Sequence, residues 1–201
     1  MRADTETIER AIRGDEAAQR ALYEAHYAAA FRLAYLLLQD TCDAEEVVQD
    51  AFVYVLRNLQ RYDAERASFM GWLRVVLVSR CRNKRRRRQL STVSLETLAA
   101  AGQPPPDSKP GRDPADALEL QGTRQAIWEA LQQISPGARE ALILRYYEGL
   151  PYAEISALLG CSSDAARARV AHGKVQLRQL LAEAAGDVVR DTGFVRPVEV
   201  G

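Results

Sequence analysis

Apolar side chains recur along this chain at three- and four-residue steps with polar ones between them, the pattern of helices that bury one face. Residues 5–13 read as a short first helix, with Thr5 as its cap, Gly14 as its stop and Asp15 as the cap of the next. From Glu16 to Leu38, Ala18, Leu22, Ala25, Ala29, Leu33 and Leu36/Leu37 form a stripe thickened by Tyr23, Tyr27 and Phe31. Asp40-Thr41-Cys42 interrupts it, and Asp43 with Glu46 is spaced as a capping box for a third helix. The stripe of that helix is Val47, Val48, Ala51, Phe52, Val55, Leu56 and Leu59. A fourth begins near Ser68 and runs through Trp72, Leu73, Val76 and Leu77 toward Arg88. Val75, Val76 and Val78 would also suit a strand, but the polar, basic continuation favours helix.

Residues 89–117 break the pattern. Five prolines fall within the twelve residues QPPPDSKPGRDP, and proline both removes amide donors and opposes continuous helix, so this stretch reads as a flexible tether. Helical spacing resumes at Leu118 with Leu120, Ile127, Leu131 and Ile134. Ser135-Pro136 is a start signal, serine at the cap and proline at the first helical position, and Gly149 is a left-handed stop. A short helix over 151–159, a turn at Gly160, and a longer helix capped by Ser162 or Ser163 and running through Leu181 make a helix-turn-helix pattern. From Gly186 the tail is mixed and turn-rich. The expected fold is all-α: two small helical domains, 1–88 and 118–182, joined by the linker 89–117 and followed by a tail, 183–201.

Composition narrows the function. The cysteines at 42, 81 and 161 form no C-x-x-C pair, and His26 and His172 are far apart in sequence, so neither a thiolate zinc site nor any other metal or cofactor site is suggested. No glycine-rich phosphate loop or nucleophile elbow is present, which makes an enzyme the weakest class. No apolar run reaches the roughly 18 residues of a membrane span and no signal peptide opens the chain, so no membrane insertion and a cytoplasmic, nucleoid-associated protein are expected. The net charge of zero hides a separation of charge. Residues 1–56 carry 11 acidic and 5 basic side chains, and residues 57–90 carry 11 basic and 2 acidic ones. Charge sorted in this way can meet one basic and one polyanionic surface.

The basic run Arg80, Arg82, Lys84, Arg85, Arg86, Arg87 and Arg88 cannot enter a core unpaired, so it must face water, an acidic partner or phosphate. Just upstream, Tyr62, Phe69 and Trp72 could stack on unpaired bases, although Phe69 and Trp72, each taken alone, suit a core better. In the acidic half, Glu46, Gln49 and Asp50 share one side of a helix, as an ordinary wet face or as a docking face for a basic partner helix.

Taken together, GDEAAQRALYEAHY at 14–27, DAEEVVQDAFVYVL at 43–56, RYDAERASFMGWLRVV at 61–76 and ISPGAREALILRYYEGLPYAEISALLG at 134–160 resemble the bacterial RNA polymerase sigma factors of the sigma-70 superfamily. The resemblance is to the small extracytoplasmic-function type, which has only regions 2 and 4. It implies that Glu46, Gln49 and Asp50 dock on the clamp helices of the largest polymerase subunit. It implies that Arg61, Trp72, Ser79, Arg80, Asn83 and Arg86 meet the melted −10 promoter element, and that Ser163, Arg167, Arg169 and Lys174 meet the −35 duplex. Core RNA polymerase, through its clamp helices and flap region, promoter DNA and an anti-sigma factor are the partners so implied.

The chain departs from the family pattern at Ser79, where asparagine is common, and at Pro151, Asp164, Ala166 and Gly173. Gly173 lies inside a helix, where glycine costs about 1 kcal/mol relative to alanine. A polymerase-independent regulator built on the helix-turn-helix, and an adaptor that has lost promoter selectivity, are the competing assignments. A sigma factor needs Glu46, Gln49 and Asp50 exposed, and it needs the Arg80–Arg88 run not to be neutralised by the chain's own acidic half.

Overall fold

The computed structural model describes residues 2–91 and 114–191, with side chains over 5–89 and 122–184. Every regular element among them is helical, and the chain divides into two compact units, Met1–Pro105 and Pro106–Gly201. The expected tether falls largely outside the described residues.

In the first unit, α1 (Arg2–Ile12) packs on α2 (Glu16–Leu38), which packs on α3 (Thr41–Arg57) and α4 (Phe69–Ser91). Helix α1 starts before Thr5, so that residue lies within the helix and does not cap it. Gly14 adopts φ +88°, a left-handed turn that glycine enters without strain, and Asp15 then caps α2. One Asp15 oxygen accepts the amides of Ala17 and Ala18 at 2.9 and 3.2 Å, while the other accepts from Arg10 Nε at 2.9 Å. Leu22, Leu33, Leu37, Val48, Phe52, Val55, Leu59, Leu73 and Leu77 fill the core. Phe69 is buried with them.

The cap of α3 lies three residues earlier than its spacing suggested. Asp40 is the N-cap and its carboxylate accepts the amide of Asp43 at 2.9 Å. The chain leaves α2 through Gln39 at φ +58°, which brings Asp40 to the helix entrance and leaves the carboxylate of Asp43 to other partners. Helix α4 is helical throughout, valines included, because Leu73, Leu77, Val78 and Cys81 all face the bundle. Ser68 Oγ accepts from the amide of Gly71 at 3.1 Å at its start.

The second unit contains α5 (Pro114–Gln133), α6 (Pro136–Leu142), a π turn over Ile143–Tyr147, α7 (Tyr152–Leu159) and α8 (Ser163–Asp191). Helix α5 starts inside the stretch read as tether, with proline at the first position, where its missing N–H is harmless. Ser135 precedes Pro136 as expected, but its side chain makes no capping bond. After the π turn, Gly149 at φ +69° lets the amide of Leu150 reach Leu144 O at 3.0 Å. Gly160 is the left-handed turn between α7 and α8, and Ser162 caps α8 by accepting the amide of Ala165 at 3.1 Å. Helix α8 does not end at Leu181; it passes Gly186 and reaches Asp191. Trp128, Ile134, Leu144, Ile155, Leu159, Ala166 and Val170 form the core, with Arg139 and Glu140 buried beside them. Arg139 Nη1 donates to Leu131 O at 3.2 Å.

Candidate nucleic-acid interface

Helix α3 buries Val47, Val48, Ala51 and Phe52 and leaves Glu46, Gln49 and Asp50 exposed on its other side. Val53 and Tyr54 continue that outer face as exposed apolar side chains.

The basic run is divided. At 3.6 residues per turn, Arg80, Lys84 and Arg88 recur on one side of α4. That side meets α3 in antiparallel register. Arg80 Nη1 lies 3.4 Å from Asp50, and its guanidinium sits 5.4 Å from the centre of the Tyr54 ring. Lys84 Nζ lies 2.5 Å from Glu46 and 3.2 Å from Asp43. Arg88 Nη1 lies 2.8 Å from Asp43 and 3.4 Å from Asp40. Contrary to the requirement that the chain's own acids leave the run alone, the acidic half pairs with three of its seven cations, Arg80, Lys84 and Arg88. Asp50 and Glu46, four residues apart, stand level with Arg80 and Lys84, and Asp43 and Asp40, at further three-residue steps, reach Lys84 and Arg88. The Glu46 carboxylate beside Lys84, with help from Asp43, holds the lysine above its ordinary pKa in spite of partial burial.

The remaining face of α4 has a different character. Trp72, Val75, Ser79, Asn83 and Arg86 follow one another at three- and four-residue steps on the side away from these pairs. Val75, Ser79, Asn83 and Arg86 are exposed and Trp72 is half-buried. Of the six residues assigned to the −10 element, Trp72, Ser79, Asn83 and Arg86 share this face. Arg80 lies on the α3 side, and exposed Arg61 sits in the 3₁₀ turn before the loop. At the head of α4, Tyr62 lies with its ring centre 5.7 Å from that of Trp72 and 6.2 Å from that of Phe69. Its hydroxyl donates to Ala67 O at 3.0 Å, which pins the loop 62–68. His26, half-buried on α2, packs against Phe69 with ring centres 4.9 Å apart.

In the second unit, Ser163, Arg167 and Lys174 fall on one flank of α8, at steps of four and seven residues. Arg169 falls on the opposite flank of the buried stripe formed by Ala166, Val170 and Gly173, so the four residues do not share one face. Arg167 is exposed, pairs with Asp164 at 3.5 Å and lies 5.5 Å from the centre of the Tyr152 ring. Arg145 sits 4.8 Å from the same ring and donates to Leu150 O at 2.9 Å. Lys174 Nζ lies 5.8 Å from the Tyr146 ring centre.

Two groups of residues escaped the sequence reading. The sequence marks Asp40 only as part of a helix break and Asp43 only as a helix start; their three-residue step faces the four-residue step of Lys84 and Arg88 once α3 and α4 are paired. Tyr152 gave no signal beyond its place in a short helix. Among the described residues no group of His, Cys, Asp and Glu could hold a metal ion, and no helix is long and apolar enough to cross a membrane.

Residues 22–91 match sigma-70 region 2, and residues 124–177 match sigma-70, region 4. The ECF RNA polymerase sigma factor SigE of Mycolicibacterium smegmatis is 33% identical over 175 residues, covering 85% of this chain and 65% of SigE. This chain thus spans less than two-thirds of the length of that relative. The RNA polymerase sigma factor CarQ of Myxococcus xanthus is 33% identical over 150 residues, covering 73% of this chain and 79% of CarQ. The sigma factor RpoE of Bartonella quintana, solved in complex with the anti-sigma factor NepR, superposes with a TM-score of 0.60 at 22% identity. That superposition covers 81% of this chain and 98% of the other and is a likeness of fold. With both regions matched in order and two helical units to carry them, the chain belongs to the extracytoplasmic-function sigma factors of the sigma-70 superfamily, a family of non-catalytic regulatory proteins.

Proposed function

We propose that this chain is a promoter-specificity subunit that docks on core RNA polymerase, holds −35 duplex DNA with its second unit and captures melted −10 bases with its first. In this assignment residues 1–88 act as region 2, 118–182 as region 4 and 89–117 as the linker between their two grips. The observation that carries it is the placement of an exposed acidic-amide face, Glu46, Gln49 and Asp50, beside a helix whose opposite side presents Trp72, Ser79, Asn83 and Arg86. The acidic face suits a basic helical surface, where electrostatic complementarity sets encounter rate and register. The aromatic and polar side suits unpaired bases. Ser163, Arg167 and Lys174 on one flank of α8, with Arg169 across it, meet the duplex. The relative bound to NepR supports an anti-sigma factor as an inhibitory partner.

Capturing bases must offset unstacking, of order a few kcal/mol, so polymerase binding preorganises the first unit. Because the chain has no net charge, its own affinity for a specific promoter at physiological salt is weak.

The test is reconstituted transcription with core polymerase on a genomic fragment library, with start-site sequencing. Discrete start sites are expected with this chain, and Asp50→Arg is expected to abolish them without unfolding the protein. Asp50 also holds Arg80, so the double variant Asp50→Arg/Arg80→Glu is the control. It restores an ion pair but not the docking charge, and it is expected to remain inactive. Rescue by the double variant would move the role of Asp50 from docking to internal pairing. Tight promoter binding by the free chain in a gel shift, without polymerase, would favour an autonomous regulator.

A further inference from the structure

The carboxylate most enclosed between α3 and α4 belongs to neither proposed interface. The side chain of Asp43 is 15% exposed, against 61% for Glu46 and 63% for Asp50. It takes two cations, Lys84 at 3.2 Å and Arg88 at 2.8 Å, one helical turn apart on α4. Asp40 steadies the arrangement from two directions, capping α3 through the amide of Asp43 and taking Arg88 at 3.4 Å. A cation held by one carboxylate can swing toward phosphate, but two cations joined through one enclosed carboxylate fix the rotation of the helix that bears them.

Resting on the sigma-factor assignment, we propose that Asp43 is a positioning residue for DNA engagement. It withdraws Lys84 and Arg88 from phosphate and sets the roll of α4, so that a single strand meets the side carrying Ser79, Asn83 and Arg86. The basic run then acts as two separate devices: an internal clasp at four-residue spacing and an outward track on the other face. The sequence-selective side is presented because its neighbours are occupied. Loss of the clasp would offer the strand an undirected positive surface in place of an oriented one.

The experiment uses the full chain and a labelled oligo(dT) strand of about 30 nucleotides, with affinity measured by anisotropy between about 50 and 200 mM salt. Each phosphate contact to a single strand contributes about 0.7 to the slope of log affinity against log salt. Arg86→Gln is expected to flatten the slope by about that amount and Lys84→Gln to leave it unchanged. Asp43→Asn is expected to steepen it by up to about 0.7, one released cation, because Lys84 keeps Glu46 at 2.5 Å while Arg88 keeps only the 3.4 Å contact with Asp40, and Asp43→Glu to restore it. With core polymerase, Asp43→Asn is expected to keep wild-type affinity for the core while spreading initiation over more start sites. The proposal is overturned if Lys84→Gln flattens the slope as Arg86→Gln does. It is equally overturned if a folded Asp43→Asn keeps the wild-type slope and start sites. Should Asp43→Asn fail to fold, the Lys84→Gln slope decides alone. Absence of any start site with the wild-type chain would sink the sigma-factor assignment, and the slopes would still decide what Asp43 does to its cations.

Discussion

Gly173 of α8 and Leu142 of α6 meet where a β-carbon has no room. One built on Gly173 would lie 2.8 Å from Leu142 Cδ1, 2.9 Å from its Cγ and 3.3 Å from the β-carbon of Ala138. The glycine lets the two helices close around Ala166 and Val170. Gly173→Ala gains about 1 kcal/mol of helix propensity but overpacks a buried contact, which costs about 1–3 kcal/mol. A net loss of stability in the second unit is expected in urea denaturation, larger for Gly173→Val. Leu142→Ala, destabilising alone, should cost less in the Gly173→Ala background, because the two changes act on the same space. A Gly173→Ala variant more stable than wild type would contradict this packing account.

The junction between α1 and α2 should resist mild acid. Arg10, followed by the amide of Ala18, holds the carboxyl of Asp15 below its ordinary value of 3.8. A lowered folded pKa gives stability that is present above 3.8 and lost as pH falls through the folded value. Asp15→Asn should therefore flatten the acid limb of a melting-temperature profile below about pH 4.

At the alkaline end the sign reverses. Lys84 is raised by Glu46, so its contribution is complete below 10.5 and is lost as pH climbs through the raised value. Burial raises Tyr27 and Tyr35, which titrate in the same direction from 10.0. The share of Lys84 is therefore the difference between wild type and Lys84→Met above about pH 10.

Much of this architecture was legible from periodicity, because the helices bury single stripes and their ends carry glycine, serine and proline signals. The helix identity of α4, the turn at Gly160 and the start at Pro136 followed from those signals alone. The cap at Asp40 was missed because Asp43 and Glu46 satisfy the same spacing rule three residues later, and only the backbone path through Gln39 chooses between them. The exposed Glu46, Gln49 and Asp50 could be read on one helix. The pairing of Arg80, Lys84 and Arg88 with α3 could not, since it depends on the register between two helices. Gly173 looked like a weakness because propensity is a property of one helix and the close approach is a property of two.

Tyr152 should steady the region 4 surface through its ring. Arg145 and Arg167 both lie over it, and cation–π contacts at exposed sites contribute about 0.5–1 kcal/mol. Tyr152→Leu is expected to weaken binding of polymerase holoenzyme to −35 duplex about two- to fivefold, with Tyr152→Phe close to wild type. Equal losses in both variants would assign the effect to the hydroxyl group and not to the ring face.

Removing the side-chain acceptor at Asp40 should cost the first unit about 1 kcal/mol, the usual penalty for losing an N-cap. Asp40→Asn, which can still accept the amide of Asp43, is expected to retain most of that stability in urea denaturation, and Asp40→Ala to lose it.

The level matching of Asp50 with Arg80, Glu46 with Lys84 and Asp40 with Arg88 also bears on building hybrids from related chains. A crossover placed in the loop between Arg57 and Phe69 would set one parent's acids against the other parent's bases. Transplants that exchange α3 and α4 as a single cassette keep the ladder intact, whereas those that split the pair inherit mismatched rungs.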